Sequence, residues 1–167
     1  ATLDSGAVGT LALDGGFLYA SGASENVRRI STTTGAVDTP ITIPSGPAPD
    51  ISFASLEGDG SGGLFLATSG HFVYHWPGSG APAVIAGTGV FGRTGDGGAA
   101  SAAEVGAPRG LTLLDRPGAG DVLYLASGVS QIRSITATTD PGADRWRNGT
   151  ISAVAGSADA KPVAPGY

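Results

Sequence analysis

A short apolar run occurs three times along this chain and constrains its fold more than any other feature. The three copies are FLYASG at residues 17–22, LFLATSG at residues 64–70 and VLYLASG at residues 122–128. Each is rich in β-favouring residues and ends in small ones, as expected for a short strand that enters a turn. Self-similarity at intervals of tens of residues indicates one supersecondary unit that is used repeatedly.

A second column follows each copy at a similar distance, as VRRI at residues 27–30, VYHW at 73–76 and IRSI at 132–135. The first and fourth positions of each are apolar. We therefore expect two sets of equivalent positions, Ala20, Ala67 and Ala126 on the second strand of each unit and Val27, Val73 and Ile132 on the third.

Each pair of columns is flanked by two further strand candidates. Inner-strand candidates lie upstream, at residues 10–13, 51–56 and 110–114, and outer ones lie downstream, at 36–43, 83–86 and 150–155. Glycine-rich turns separate the first two strands of a unit, consistent with 29 glycines in the chain. The sequence predicts an all-β, β-propeller-like fold of three four-stranded antiparallel blades, and only residues 99–104 favour a turn of helix.

Composition excludes several classes of partner. The net charge is −5 and Lys161 is the one lysine, so no basic stripe is present for a nucleic-acid backbone. No apolar run approaches the roughly 20 residues of a membrane-spanning helix. Cysteine is absent, which excludes disulfides and thiolate metal sites. Methionine is also absent, even at position 1, so we expect a processed or excised product, for example one that has lost a secretory signal.

Residues 83–156 resemble a known repeat family. They contain VIAGTG at 84–89, GDGGAA at 95–100 and APRGL at 107–111, which are similar to the phrase at the blade seam of NHL-repeat β-propellers of the bacterial exported and surface type. The resemblance implies an extracellular, periplasmic or cell-surface location. One departure is that Ser21, Thr68 and Ser127 replace the aspartate that usually closes the second strand, so no function is transferred from those positions.

These patterns divide the chain into blades at about 1–46, 47–89 and 106–156, a long seam loop at 87–107 and a tail or linker at 157–167. Closed propellers have four to eight blades, so three blades form a partial ring with open flanks. We expect the flanks to be covered by missing blades of a longer chain, by a second copy that completes the ring, or by another protein subunit. Apolar burial is expected around Phe17 and Tyr19 in the first blade and around Tyr124 and Trp146 in the last.

The sequence gives little support for a metal site or a catalytic site. His71 and His75 lie four residues apart on one strand, about 13 Å at about 3.3 Å per residue, which is too far to share an ion. Asp59 and Asp96 each stand alone in a glycine-rich loop, so we expect turn formation, and capping of a turn at Ala99, rather than calcium binding. No catalytic residue, cofactor or metal ligand is predicted.

One loop favours partner binding. Arg145, Trp146 and Arg147 lie in the lengthened connection 137–148, and a tryptophan flanked by arginines is typical of binding hot spots. The alternative is a tryptophan folded onto its own blade with solvated arginines. Arg93 in the seam loop is a second candidate.

The predicted function is a non-catalytic exported scaffold or accessory subunit that binds protein through its rims and open flanks. A propeller hydrolase or lyase with an axial metal is one alternative, and a small-ligand or glycan-binding module is another. The enzyme would need carboxylates, asparagine or histidine on the inner strands. Those strands instead read LAL at 11–13, SFA at 52–54 and LTL at 111–113.

Overall fold

The computed structural model describes residues 9–22, 26–43, 52–116, 120–139 and 145–156, and over these ranges the protein forms three four-stranded antiparallel sheets. In each sheet the strands are hydrogen-bonded in chain order. The first blade contains β1 Thr10–Asp14, β2 Phe17–Ser21, β3 Asn26–Ser31 and β4 Val37–Thr42; the second β5 Phe53–Gly58, β6 Leu64–Thr68, β7 Val73–Trp76 and β8 Ala83–Ala86; the third β9 Pro108–Leu114, β10 Val122–Ser127, β11 Gln131–Thr136 and β12 Thr150–Ala155.

The all-β, three-blade prediction is confirmed, and the predicted turn of helix is a 3-10 helix at Ala100–Ala102. The first strands of successive blades are neighbours, because β1 packs against β5 and β5 packs against β9. This side-by-side arrangement of inner strands is propeller-like. The tail predicted at 157–167 lies outside the described residues.

The strand register corrects one predicted column. Val27 pairs with Ser21, Val73 with Ala67 and Ile132 with Ala126. The third-strand column is therefore confirmed, but Ser21 and not Ala20 is the first-blade equivalent of the two alanines. The prediction for Ala20 was wrong by one residue, and a one-residue slip in a strand moves a side chain to the opposite face of the sheet.

Each blade therefore has two distinct faces. We call the face toward the following blade in the chain the forward face, and the face toward the preceding blade the rear face. The first interblade core joins the forward face of the first blade, including Tyr19 and Val27, to the rear face of the second, including Leu64 and Trp76. The second joins forward-face residues such as Phe65 to rear-face residues of the third blade such as Leu123. Burying each such large apolar side chain stabilises the fold by roughly 1.5–3 kcal/mol.

Two glycines end the outer strands of the second and third blades in the same way. Gly87 and Gly156 have φ of 100° and 72°. A Cβ at Gly87 would meet the backbone oxygen of His71, and one at Gly156 would meet that of Ser130. His71 and Ser130 themselves have φ of 64° and 60° in the turns between the second and third strands. Only glycine fits this contact, because it needs both a positive φ and space for a close backbone approach.

Candidate interaction surfaces on the open blade faces

The register identifies the positions that meet at each blade interface. The central forward-face row consists of one residue from each of three neighbouring strands: Ala12, Tyr19 and Arg29 in the first blade, Glu57, Phe65 and His75 in the second, and Thr112, Tyr124 and Ser134 in the third. Tyr19 and Phe65 are completely buried against the next blade. Tyr124, at the same position in the third blade, is only partly buried.

Both buried aromatics contact a tryptophan of the following blade. The ring centroids of Tyr19 and Trp76 lie 6.2 Å apart, and those of Phe65 and Trp146 lie 4.7 Å apart. Both pairs are edge to face. Such pairs contribute about 0.5–1.5 kcal/mol beyond their buried area. Among the ring pairs of the described residues, none includes Tyr124.

A groove of about 280 Å³ lies on the forward face of the third blade. Its lining is Gly110, Leu111, Thr112, Tyr124, Ala126 and Ile132. Most of these residues come from the face that has no following blade within the described chain. Ile132 is 45% exposed, whereas its equivalents Val27 and Val73 are completely buried.

The second blade shows what occupies the equivalent place. The hydroxyl of Ser55 accepts a hydrogen bond of 3.1 Å from the N–H of Leu111, and the carboxylate of Glu57 accepts one of 2.9 Å from the N–H of Leu113. In the third blade, the positions of Ser55 and Glu57 are Gly110 and Thr112, as their pairing partners show. The groove therefore lies where the inner strand of a following blade would lie.

The rear face of the first blade is also open and apolar. Leu11 and Leu13 are 54% and 69% exposed, and Leu18 and Ile30 are partly exposed. Their second-blade equivalents are rear-face residues that pack on the first blade: Leu56 corresponds to Leu11, Leu64 to Leu18 and Trp76 to Ile30, and all three are at most 4% exposed. The same positions are thus buried in one blade and open in another.

The structure corrects the prediction of which residues lie on the open flanks. Tyr19 and Trp146 lie inside the chain, between blades, and are at most 1% exposed. Phe17 packs partly buried against the first interblade core. Of the four expected residues, Tyr124 lies on an open face.

The loop candidates are placed differently from one another. Trp146 belongs to the second interblade core, which contains residues of its own blade, and it packs on Phe65 of the second blade, so the indole offers no free binding surface. The Arg145 guanidinium lies over the Trp146 ring at 5.7 Å and forms an ion pair of 2.6 Å with Asp121. Arg147 and Arg93 are exposed.

A buried arginine that the sequence analysis did not single out holds the seam loop. Arg133 is 1% exposed and donates hydrogen bonds to a carboxylate oxygen of Asp96 at 2.9 Å, to the carbonyl of Glu104 at 2.7 Å and to that of Thr94 at 3.1 Å. Asp96 does not cap the turn, since Ala99 occupies the N-cap position and no side chain caps it. The expected capping role is thus replaced by an ion pair across 37 residues.

Asp59 forms the expected turn and also a buried pair. Its carboxylate accepts hydrogen bonds from the backbone N–H of Ser61 and Gly63, and it lies 3.0 Å from Nε2 of His75. Burial opposes ionisation of Asp59, but these hydrogen bonds outweigh it and hold its pKa well below the usual range. The other histidine has a separate role, since Nδ1 of His71 accepts a hydrogen bond from the N–H of Ala107.

The described ranges lack two other kinds of site. They contain no cluster of three or more His, Asp or Glu side chains placed to hold a metal ion. They also contain no helix with the length and apolarity needed to cross a membrane.

No protein-family model matches the sequence, and no curated protein matches it. Solved structures do resemble it. A Bacteroides thetaiotaomicron protein of unknown function has a TM-score of 0.64 at 22% identity, covering 92% of this chain and 36% of its own. The major Malassezia sympodialis allergen Mala s 1 has a TM-score of 0.55 at 18% identity, covering 86% of this chain and 40% of its own. The chain thus spans about two fifths of these proteins or less, and the comparisons show that it shares the fold of part of each.

Proposed function

We infer that this protein is a non-catalytic protein-binding scaffold that acts through its two open blade faces. One observation carries the proposal. Positions that are buried at both internal blade interfaces recur, with apolar side chains, on the two faces that no blade among the described residues covers. Leu18 and Ile30 on the rear face and Ile132 on the forward face are such positions, and beside them on the rear face Leu11 and Leu13 are 54% and 69% exposed. Exposed apolar patches of this kind mark interaction sites in soluble proteins.

The covering partner is a protein surface built like a blade. The two internal interfaces match an aromatic forward face to an aliphatic and tryptophan-containing rear face. A sheet with the complementary face would bury Tyr124 and Ile132 in the same way. Further blades of a longer polypeptide, a second copy and another subunit all satisfy this requirement.

Export and membership of the NHL-repeat propellers are further parts of this proposal. They rest on the resemblance of residues 83–156. Within this region, Asp96 of the GDGG run forms an ion pair with Arg133 of the third blade and so anchors the seam loop to that blade. This contact is compatible with membership of the family. The exposed Arg93, Arg145 and Arg147 would add polar contacts at the rims.

Site-specific photo-crosslinking tests the scaffold. A photoreactive residue is placed at Leu13 or Ile132, and at Val90 as the control, because Val90 is 52% exposed but lies in the seam loop. The three proteins are irradiated in the producing cell and after purification, and crosslinked peptides are identified by mass spectrometry. We expect one recurrent protein partner from both face positions, at a yield well above that of Val90. Yields equal to the control at both face positions would refute protein binding by these faces.

A further inference from the structure

We propose that the groove on the forward face of the third blade receives β1 of a second copy of this chain, with Leu11 over Gly110 and Leu13 beside Thr112. Two copies then close a ring of six blades through two identical head-to-tail contacts. This inference rests on the proposed function, because it specifies the partner of the open faces.

The proposed contact is inferred from the equivalent contact between the inner strands of the second and third blades. Ser55 and Glu57 of the second blade receive the backbone of Leu111 and Leu113 from the next inner strand. The pairing of the strands makes Gly110 and Thr112 the third-blade equivalents of Ser55 and Glu57. It also makes Leu11 and Leu13 the first-blade equivalents of Leu111 and Leu113.

The two open faces are complementary in shape and chemistry. The forward face has a groove of about 280 Å³ where Gly110 leaves space, bordered by Thr112 and Tyr124. The rear face presents the protruding side chains of Leu11 and Leu13, which are more than half exposed. No acidic side chain lines the groove, so apolar burial there leaves no carboxylate without a partner.

Three points favour a second copy over an unrelated sheet. Each chain carries one forward and one rear face of the kind that meet at its own interfaces, so a copy supplies both missing partners. A head-to-tail interface forms closed rings when its rotation closes, and propellers close with four to eight blades. Two copies of the three blades that the structure describes meet that condition. The second contact then forms within an already joined pair, which favours it through effective concentration.

The first test uses paired charge variants and sedimentation. One variant carries Leu11→Glu and Leu13→Glu on the rear face, and the other carries Ala126→Glu and Ile132→Glu on the forward face. The control is Val90→Glu. We expect the unmodified chain and the control to sediment at twice the chain mass of 16.3 kDa. Each face variant alone should be monomeric, and their equimolar mixture should form a heterodimer through the one intact pair of faces.

Like-with-like pairing predicts the opposite result. If equal faces meet, the rear-face variant still dimerises alone through its forward face, which would overturn the proposal. Failure of the mixture to associate would also overturn it. Circular dichroism of each variant checks that it folds.

The second test does not depend on charged substitutions. The chain has no cysteine, so single cysteines can be placed freely. Leu13→Cys and Thr112→Cys proteins, mixed under mild oxidation, should form a mixed disulfide far more than either forms with Val90→Cys. The double variant Glu57→Cys with Leu113→Cys, which reproduces the equivalent contact within one chain, calibrates the yield. A mixed yield no higher than that with Val90→Cys refutes the contact.

The two proposals can fail separately. A chain that stays monomeric at all concentrations, while its faces crosslink to a different protein, refutes the six-bladed ring but retains the scaffold. A monomer whose faces crosslink to nothing refutes both.

Discussion

Arg133 and Asp96 form an ion pair of 2.8 Å between the third blade and the seam loop, although 37 residues separate them in the sequence. The guanidinium is 1% exposed, while the carboxylate is one-third exposed. The remaining donors of Arg133 bind backbone carbonyls of the same loop, at Glu104 and Thr94. One buried side chain therefore fixes three points of a loop that has little regular structure.

Removing this side chain should destabilise the fold. Arg133→Met leaves two loop carbonyls without their donor, and each such loss costs about 1–3 kcal/mol. We expect urea denaturation to report a loss of about 2–4 kcal/mol in the free energy of unfolding. Arg93→Met, on an exposed arginine of the same loop, should change it by less than about 0.5 kcal/mol. Equal effects of the two substitutions would contradict the anchoring role.

The Asp59 carboxylate predicts how stability varies with pH. Its pKa in the folded state is lower than in the unfolded chain, because hydrogen bonds from His75, Ser61 and Gly63 outweigh the effect of burial. A group with a lowered folded pKa stabilises the protein above its unfolded pKa, near 3.9, and that contribution is lost as the pH falls through and below this range.

We therefore expect the free energy of unfolding to fall as the pH is lowered from about 5. Asp59→Asn should flatten this dependence. The control is Asp38→Asn. The hydrogen bond and charge of Arg29 also lower the pKa of Asp38, but this side chain is 55% exposed and screened by solvent. Denaturation series from pH 7 to acid distinguish the two, and a slope unchanged in Asp59→Asn would refute the assignment.

Trp146 is expected to behave as a core residue. Trp146→Ala should lower the free energy of unfolding by about 3–5 kcal/mol, because it empties the contact with Phe65 between the second and third blades. Phe91→Ala, which removes a 59% exposed ring in the seam loop, is the control and should have a small effect. Since both tryptophans are 1% exposed, the native fluorescence should be blue-shifted and weakly quenched by acrylamide. Efficient quenching would place an indole at the surface.

The glycine at the end of the second blade provides a test of close approach. Gly87→Ala combines an unfavourable positive φ with a clash against the backbone oxygen of His71. Gly97→Ala is the matched control, because Gly97 has φ of 82° but no heavy atom beyond its chain neighbours lies within 4 Å of the position that a Cβ would take. We expect Gly97→Ala to cost about 1 kcal/mol through backbone conformation alone, and Gly87→Ala to cost clearly more. Equal losses in thermal denaturation would show that the contact with His71 is unimportant.

The strands could be read from the sequence because their signals are local. Repeated apolar runs, small residues and glycine-rich turns predicted all twelve strands, including residues 83–86 and 150–155 with their observed bounds. The side-chain contacts between blades were not predictable in this way. Ala20 and Ser21 are both small, so nothing local showed which of them pairs with Val27. The sequence around Trp146 predicted an exposed binding residue. Its partner Phe65 lies 81 positions earlier, and only the packing of the two blades brings the two rings together.

The two internal interfaces reach similar aromatic packing from unlike parts of a blade. Trp76 comes from the third strand of its blade, whereas Trp146 comes from the loop before the fourth strand. A column-by-column alignment of the repeats would leave these two residues unmatched, although they fill comparable space beside Tyr19 and Phe65. In this architecture each internal interface requires a pair of complementary surfaces, whichever strand or loop supplies the side chains. The sequence of each motif can then vary widely while the shape of the interface is kept.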